Sequence, residues 1–116
     1  MDTIISGEEK LSVISNLKDN WNDNGAAPFS KKLVEKVADI VDKLLIQPEI
    51  FPTALGTIQL EFDNSERDHM ELEIGEQGET EVFITYSNGQ DAFERITVSA
   101  ESINRILSVF MENTSR

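Results

Sequence analysis

The chain has 116 residues, 39% of them hydrophobic and 28% charged, and its formal net charge is -12. This size and composition describe one globular domain spanning residues 1–116, and the lack of cysteine excludes disulfides, thiol catalysis and thiolate metal sites. Twenty-two acids against ten bases repel nucleic-acid phosphates and anionic membrane surfaces, so neither is expected to bind directly.

From its first residues the chain reads as cytoplasmic. Met1-Asp2-Thr3-Ile4-Ile5 lacks the basic start and long apolar run of a signal peptide. No apolar stretch approaches the roughly 20 residues of a membrane span. Ser6-Gly7-Glu8-Glu9 matches a capping box, and Leu11, Ile14, Leu17 and Trp21 follow at helical spacing. A helix from about Gly7 to about Asn20 is expected. Asn20-Trp21-Asn22-Asp23-Asn24-Gly25 is dense in turn formers. Ser30 is the expected cap of a second helix, with Phe29 and Val34 as its hydrophobic staple. Leu33, Val34, Val37, Ala38, Val41, Leu44 and Leu45 form that helix's apolar stripe. Pro48 and Pro52 end it and lead on in extended form.

The periodicity then changes to two. Ile58, Leu60 and Phe62 make one apolar row, Met70, Leu72 and Ile74 a second, and Val82, Ile84 and Tyr86 a third. Ile96 and Val98 suggest a fourth. Parity pairs Leu60 with Leu72 and Ile58 with Ile74, then Leu72 with Ile84 and Met70 with Tyr86. A two-residue Asn88-Gly89 turn would carry Arg95 opposite Val82 on the buried side, so a longer loop or a bulge between Gln90 and Glu94 is expected. Ser99 caps a last helix whose apolar face is Ile103, Ile106, Leu107 and Phe110, with Val98 and Ile103 at the staple positions. The tail from Glu112 to Arg116 is expected to fray. No internal repeat is visible. The expected fold is α+β: an antiparallel meander of three to four strands with helices packed on one face, in the order α-α-β-β-β-β-α.

Between Glu61 and Glu81 lie nine acids and one base, Arg67. Parity sets Glu61, Glu71, Glu73 and Glu81 on the face away from the core, with Glu61 directly across from Glu71. Like charges facing one another across strands are unfavourable by roughly 0.2–1 kcal/mol per pair. A basic partner explains such a face; a solvated, soluble sheet face is the plainer account. The candidate partner-binding residues are Glu61, Asp63, Glu71, Glu73 and Glu81. Asp63, Glu66, Asp68 and His69 form a second cluster, suited to a divalent cation or to acid–base chemistry, though its spacing matches no defined motif. His69 is the only histidine, so a two-histidine zinc site is excluded. Asn20, Asn22, Asn24 and Gly25 resemble the start of a calcium loop, but its last ligand position holds Lys31, which cannot coordinate the ion. No phosphate loop and no Gly-x-Ser-x-Gly element occurs. Trp21 reads as an anchor for the loop between the helices, and as a binding hot spot only if exposed.

The run Trp21-Asn22-Asp23-Asn24-Gly25-Ala26-Ala27-Pro28 resembles a motif, approximately Trp-Asn/Asp-Gly-x-Gly-Ala-x-Pro, of a family of small uncharacterised bacterial and phage-associated proteins. The resemblance extends over residues 10–75 and includes a strand like Gly56-Thr57-Ile58-Gln59-Leu60-Glu61-Phe62. The chain departs from it at Asp23, where glycine is common, and at Phe62, where tryptophan is common. The resemblance implies a bacterial or mobile-element setting and carries over no functional residues.

The chain is therefore expected to be a non-enzymatic acidic interaction or inhibitor protein, in the manner of an antitoxin, an immunity protein or a phage anti-defence protein. Its expected partner is a basic protein surface such as that of a nucleic-acid-binding protein, and no cofactor is expected. Two alternatives stand beside this: a metal-binding protein or metal-dependent enzyme using Asp63, Glu66, Asp68 and His69, and a homodimer built on a sheet edge or on the Trp21 loop.

Overall fold

The computed structural model describes residues 7–112, with the side chain of Glu8 left aside. Ser6, the expected cap of the first helix, and residues 113–116 of the expected frayed tail lie outside the described residues.

Helix α1 runs over Gly7–Ser15, shorter than the apolar spacing suggests. Asn16 N–H donates to Val13 O and Leu17 N–H to Ile14 O, closing a tight last turn. Leu11 and Ile14 are buried, while Leu17 and Trp21 pack on the core from the loop beyond. Asn20 and Asn22 of that loop are occupied by its own backbone. Asn20 Oδ1 accepts from Gly25 N at 2.6 Å, and Asn22 Oδ1 accepts from Asn24 N and Ala26 N. Trp21 donates its indole N–H to Ala27 O at 2.9 Å and packs its ring against Phe29 at 5.8 Å, an anchor rather than an exposed aromatic.

Helix α2 spans Lys31–Asp42, capped by Ser30, whose hydroxyl accepts from Leu33 N at 3.1 Å. Leu33, Val34, Val37, Ile40 and Val41 are its buried face. Leu44 is also buried, but Leu45 is 70% exposed, because the helix has ended and the stripe no longer applies. The loop here is tied to helix α3 (Ala100–Glu112) by Asn104, which accepts from Leu45 N and donates to Lys43 O. Ser99 caps α3 through Ser102 N, and Ile103, Leu107 and Phe110 form its buried face.

The sheet has five strands, β1 (Glu49–Pro52), β2 (Ile58–Asp63), β3 (His69–Ile74), β4 (Glu79–Thr85) and β5 (Asp91–Thr97), in the order β1-β2-β3-β4-β5 and antiparallel throughout. The full order is α-α-β-β-β-β-β-α, one strand more than the alternation suggests. That strand, β1, follows Pro48 and ends on Pro52. Proline is tolerated there because β1 is an edge, where a missing N–H breaks no inner ladder. Ile50, Ile58, Leu60, Phe62, Met70, Leu72, Ile74 and Val82 project from one face into a single core with the three helices. Burying each stabilises by roughly 1.5–3 kcal/mol.

All four hairpins close in the same way. Thr53 N–H donates to Thr57 O, Asn64 N–H to Asp68 O, Gly75 N–H to Glu79 O and Tyr86 N–H to Gln90 O. Each leaves a three-residue loop whose third residue has positive φ: Gly56, Arg67, Gly78 and Gly89. These positions fall 11 residues apart, a structural period that the side chains do not announce. Type I turns ending in a left-handed residue have this form, and they fix the strand register. Register β2–β3 is the expected one, with Leu60 opposite Leu72 and Glu61 opposite Glu71. Register β3–β4 differs from expectation by two residues: Leu72 faces Val82 and Met70 faces Ile84, because the loop is shorter. In the last hairpin the longer loop, one of the two expected forms, is found: three residues ending at Gly89, and the ladder beyond it runs from Asp91 to Thr97 with no bulge. Arg95 consequently faces Glu81 on the outer side of the sheet.

Candidate functional site

The helices cover one face of the sheet and leave the other to solvent. Reading the register across that outer face gives two adjacent rows. One runs Glu49, Glu61, Glu71, Phe83, Phe93; the other runs Phe51, Gln59, Glu73, Glu81, Arg95. Asp63, His69, Thr85 and Asp91 form a third row at one end. All five residues assigned to a partner surface therefore share one face. Glu61, Glu71, Glu73 and Glu81 are half-buried by their neighbours, and Asp63 is exposed at the rim.

His69 sits among these acids. Its Nδ1 is 2.8 Å from Asp63 Oδ1, and its Nε2 is 3.0 Å from Glu71 Oε1 and 3.4 Å from Glu61 Oε1. Burial alone would lower the pKa of this imidazole. The hydrogen bonds to Asp63 and Glu71, with the charges of Asp63 and Glu61, outweigh it and raise the pKa above its ordinary 6.5. Gln59 Nε2 donates to the other oxygen of Glu61 at 2.6 Å, fixing that carboxylate from the opposite side.

The next part of the face is aromatic. Phe83 and Phe93 are 42% and 51% exposed, and their ring centroids lie 4.8 Å apart. Arg95 bonds Glu81 at 3.1 Å and lays its guanidinium over Phe93 at 5.6 Å. The face thus combines a strip of carboxylates with an apolar step. Chemically it can offer charge to a cation and a contact surface to an apolar side chain. Sequence reasoning included the acids and missed the aromatic pair, whose signal is the alternation Glu81-Val82-Phe83 in β4 and Phe93 set between Ala92 and Glu94 in β5.

The four residues of the second cluster do not converge. Asp63 and His69 meet across a rung, but Asp68 is buried in the turn. It accepts from Asn64 Nδ2 at 3.0 Å and from Ser87 N at 2.9 Å, joining two loops, and these bonds hold its pKa below the usual value. Glu66 lies exposed in the loop between them. The ligand atoms that do gather belong to Glu61, His69 and Glu71, all within 4.8 Å of one another. The cross-strand register contains that grouping, whereas a short sequence window does not.

No helix among the described residues is long and apolar enough to cross a membrane. No family model, curated protein or solved structure matches this chain.

Proposed function

We propose that the chain is a non-enzymatic interaction protein whose outer sheet face docks onto a basic protein surface and occludes it. The observation that carries this reading is the alignment of Glu61, Glu71, Glu73 and Glu81 on one face beside the exposed Phe83–Phe93 pair. Carboxylates steer a positive partner into encounter, and an apolar step supplies the desolvated contact that holds it. A surface kept acidic for solubility alone has no use for two large exposed aromatics packed against each other. Nucleic-acid-binding proteins present surfaces of the complementary sign, which makes an inhibitor or immunity role the natural setting.

The test uses a fluorescein-labelled arginine-rich peptide as the basic probe, with chelator present. Two variants carry the same change in net charge. One replaces Glu61, Glu71, Glu73 and Glu81 with glutamine. The other neutralises Glu35, Asp39, Asp42 and Glu101 on the helices. The face variant loses affinity by more than about tenfold, or 1.4 kcal/mol, while the helix variant stays close to the parent. Binding also collapses between about 0.1 M and about 1 M salt, as the screening length falls from about 10 to about 3 Å. Equal losses in both variants refute the reading.

A further inference from the structure

We propose that Glu61, His69 and Glu71 form a binding site for a divalent transition-metal cation of the zinc class. The site does not depend on the docking reading, since it is argued from ligand geometry alone.

Asp63 Oδ1 lies 2.8 Å from Nδ1, placed to accept a hydrogen bond from a ring proton held there, as an acidic neighbour does for metal-bound imidazoles. That assigns the Nε2 lone pair to the other side, where it points at Glu71 Oε1 and Glu61 Oε1. In the neutral ring that carries its proton on Nδ1, the Nε2 lone pair and these two carboxylate oxygens face one common point, where a divalent cation takes the place that a second ring proton fills in the metal-free imidazolium. Bond lengths of about 2.0–2.2 Å to imidazole and carboxylate place the ligand atoms of a tetrahedral zinc roughly 3.3 Å apart. The two contacts of Nε2, at 3.0 and 3.4 Å, bracket that edge.

A separate observation comes from the backbone. The register puts Glu61 between two other glutamates, Glu49 and Glu71. Among the described residues, the only cationic side chain within ion-pair distance of Glu61 or Glu71 is His69. Arginine neutralises Glu81 on the neighbouring strand pair, so the fold has a device for such acids and does not use it here. A bound dication supplies the missing charge. The nitrogen donor favours zinc over calcium or magnesium, which take oxygen ligands and six or more of them. The three donors stand on adjacent strands, and Gln59 holds Glu61 from behind, so the site is built on rigid elements. The outer side faces solvent, leaving the fourth position to water.

Calorimetry with zinc chloride on chelator-treated protein tests the site, read together with the melting temperature and the visible spectrum of a cobalt substitute. One equivalent of zinc binds and raises the melting temperature, and cobalt gives the intense absorption of a four-coordinate site. His69→Gln and Glu71→Gln each weaken zinc by more than about tenfold, and Asp63→Asn by about 10- to 100-fold, while magnesium and calcium give no saturable heat. Glu61→Gln, expected to fold at least as well as the parent, serves if another variant does not fold. Absence of one-equivalent binding, or zinc affinity unchanged in His69→Gln, overturns the proposal. Peptide docking is measured with chelator, so either result can fail without the other.

Discussion

Replacing Glu61 with glutamine should stabilise the metal-free protein. Glu61 stands in register between Glu49 and Glu71, so one substitution removes two like-charge pairs. At roughly 0.2–1 kcal/mol per pair the combined relief is about 0.4–2 kcal/mol. Glu49 is exposed and its pair with Glu61 is better screened, which places the expected gain near 1 kcal/mol. Glutamine has the same shape, and its amide oxygen still accepts from Gln59. Against the gain stands the loss of the Glu61–His69 contact at 3.4 Å, which matters only while His69 carries a proton. The gain is therefore largest above the pKa of His69. For a domain of this length 1 kcal/mol corresponds to about 4 °C in melting temperature. Thermal unfolding at about pH 8.5 with chelator, in low salt and again in about 1 M sodium chloride, measures it. The reasoning requires a rise that shrinks at high salt, as the screening length falls to about 3 Å. A fall in melting temperature, or a rise indifferent to salt, would mean that the carboxylates do not oppose one another.

Three further outcomes follow from the same structure. Asn64→Ala should destabilise by about 2–3 kcal/mol in urea unfolding, because it strands the buried Phe110 carbonyl and frees Asp68 N and Glu66 N from their acceptor. Arg67→Gly should stabilise by about 1 kcal/mol in the same assay, since Arg67 alone among the four hairpin loops holds a left-handed backbone without glycine. In metal-free protein the proton on His69 is held more tightly folded than unfolded. Its contribution is full below 6.5 and is lost as pH rises through the higher folded value. Melting temperatures taken from about pH 6 to about pH 9 should therefore fall more steeply in the parent than in His69→Gln.

Much of the architecture was legible because alternation of apolar residues states which face a side chain takes. It does not state which rung. Shifting β4 by two residues against β3 leaves every side chain on its expected face, so the sequence could not distinguish Leu72 opposite Ile84 from Leu72 opposite Val82. The turn decides, and its chemistry was partly hidden. Gly56, Gly78 and Gly89 mark three of the loops, but Arg67 occupies the equivalent place in the fourth and masks the common 11-residue spacing. Strand β1 escaped because a four-residue strand that follows one proline and ends on another is too short to show a period. At the site, the acids were read from β2, β3 and β4 separately. The grouping of Glu61, His69 and Glu71 needs two adjacent rungs considered together, Glu61 with Glu71 and Asp63 with His69.

The last hairpin explains why the face has an apolar step at all. The inward side of β5 carries Ala92, Glu94 and Ile96, and only Ile96 is even half-buried. The helical layer therefore ends near β4, and β5 projects past it with solvent on both sides. A strand in that position gains little from burial and is held chiefly by its ladder with β4. Polar residues on both of its faces would serve that ladder and keep its free edge from pairing with other chains. Phe93 works against that protection. It is half-exposed, packs at a tilt on Phe83 across the rung, and has the Arg95 guanidinium over its ring, held in place by Glu81. The pair contributes about 0.5–1.5 kcal/mol beyond burial, enough to steady an edge strand. The same pair leaves two rings at the border of the carboxylate strip, where under the proposed docking a partner's cation would meet the acids and its apolar side chain the rings. One cross-strand pair thus supports the edge and would also present the apolar part of the proposed contact surface, which is why that proposal centres on β4 and β5 together with the acids of β2 and β3.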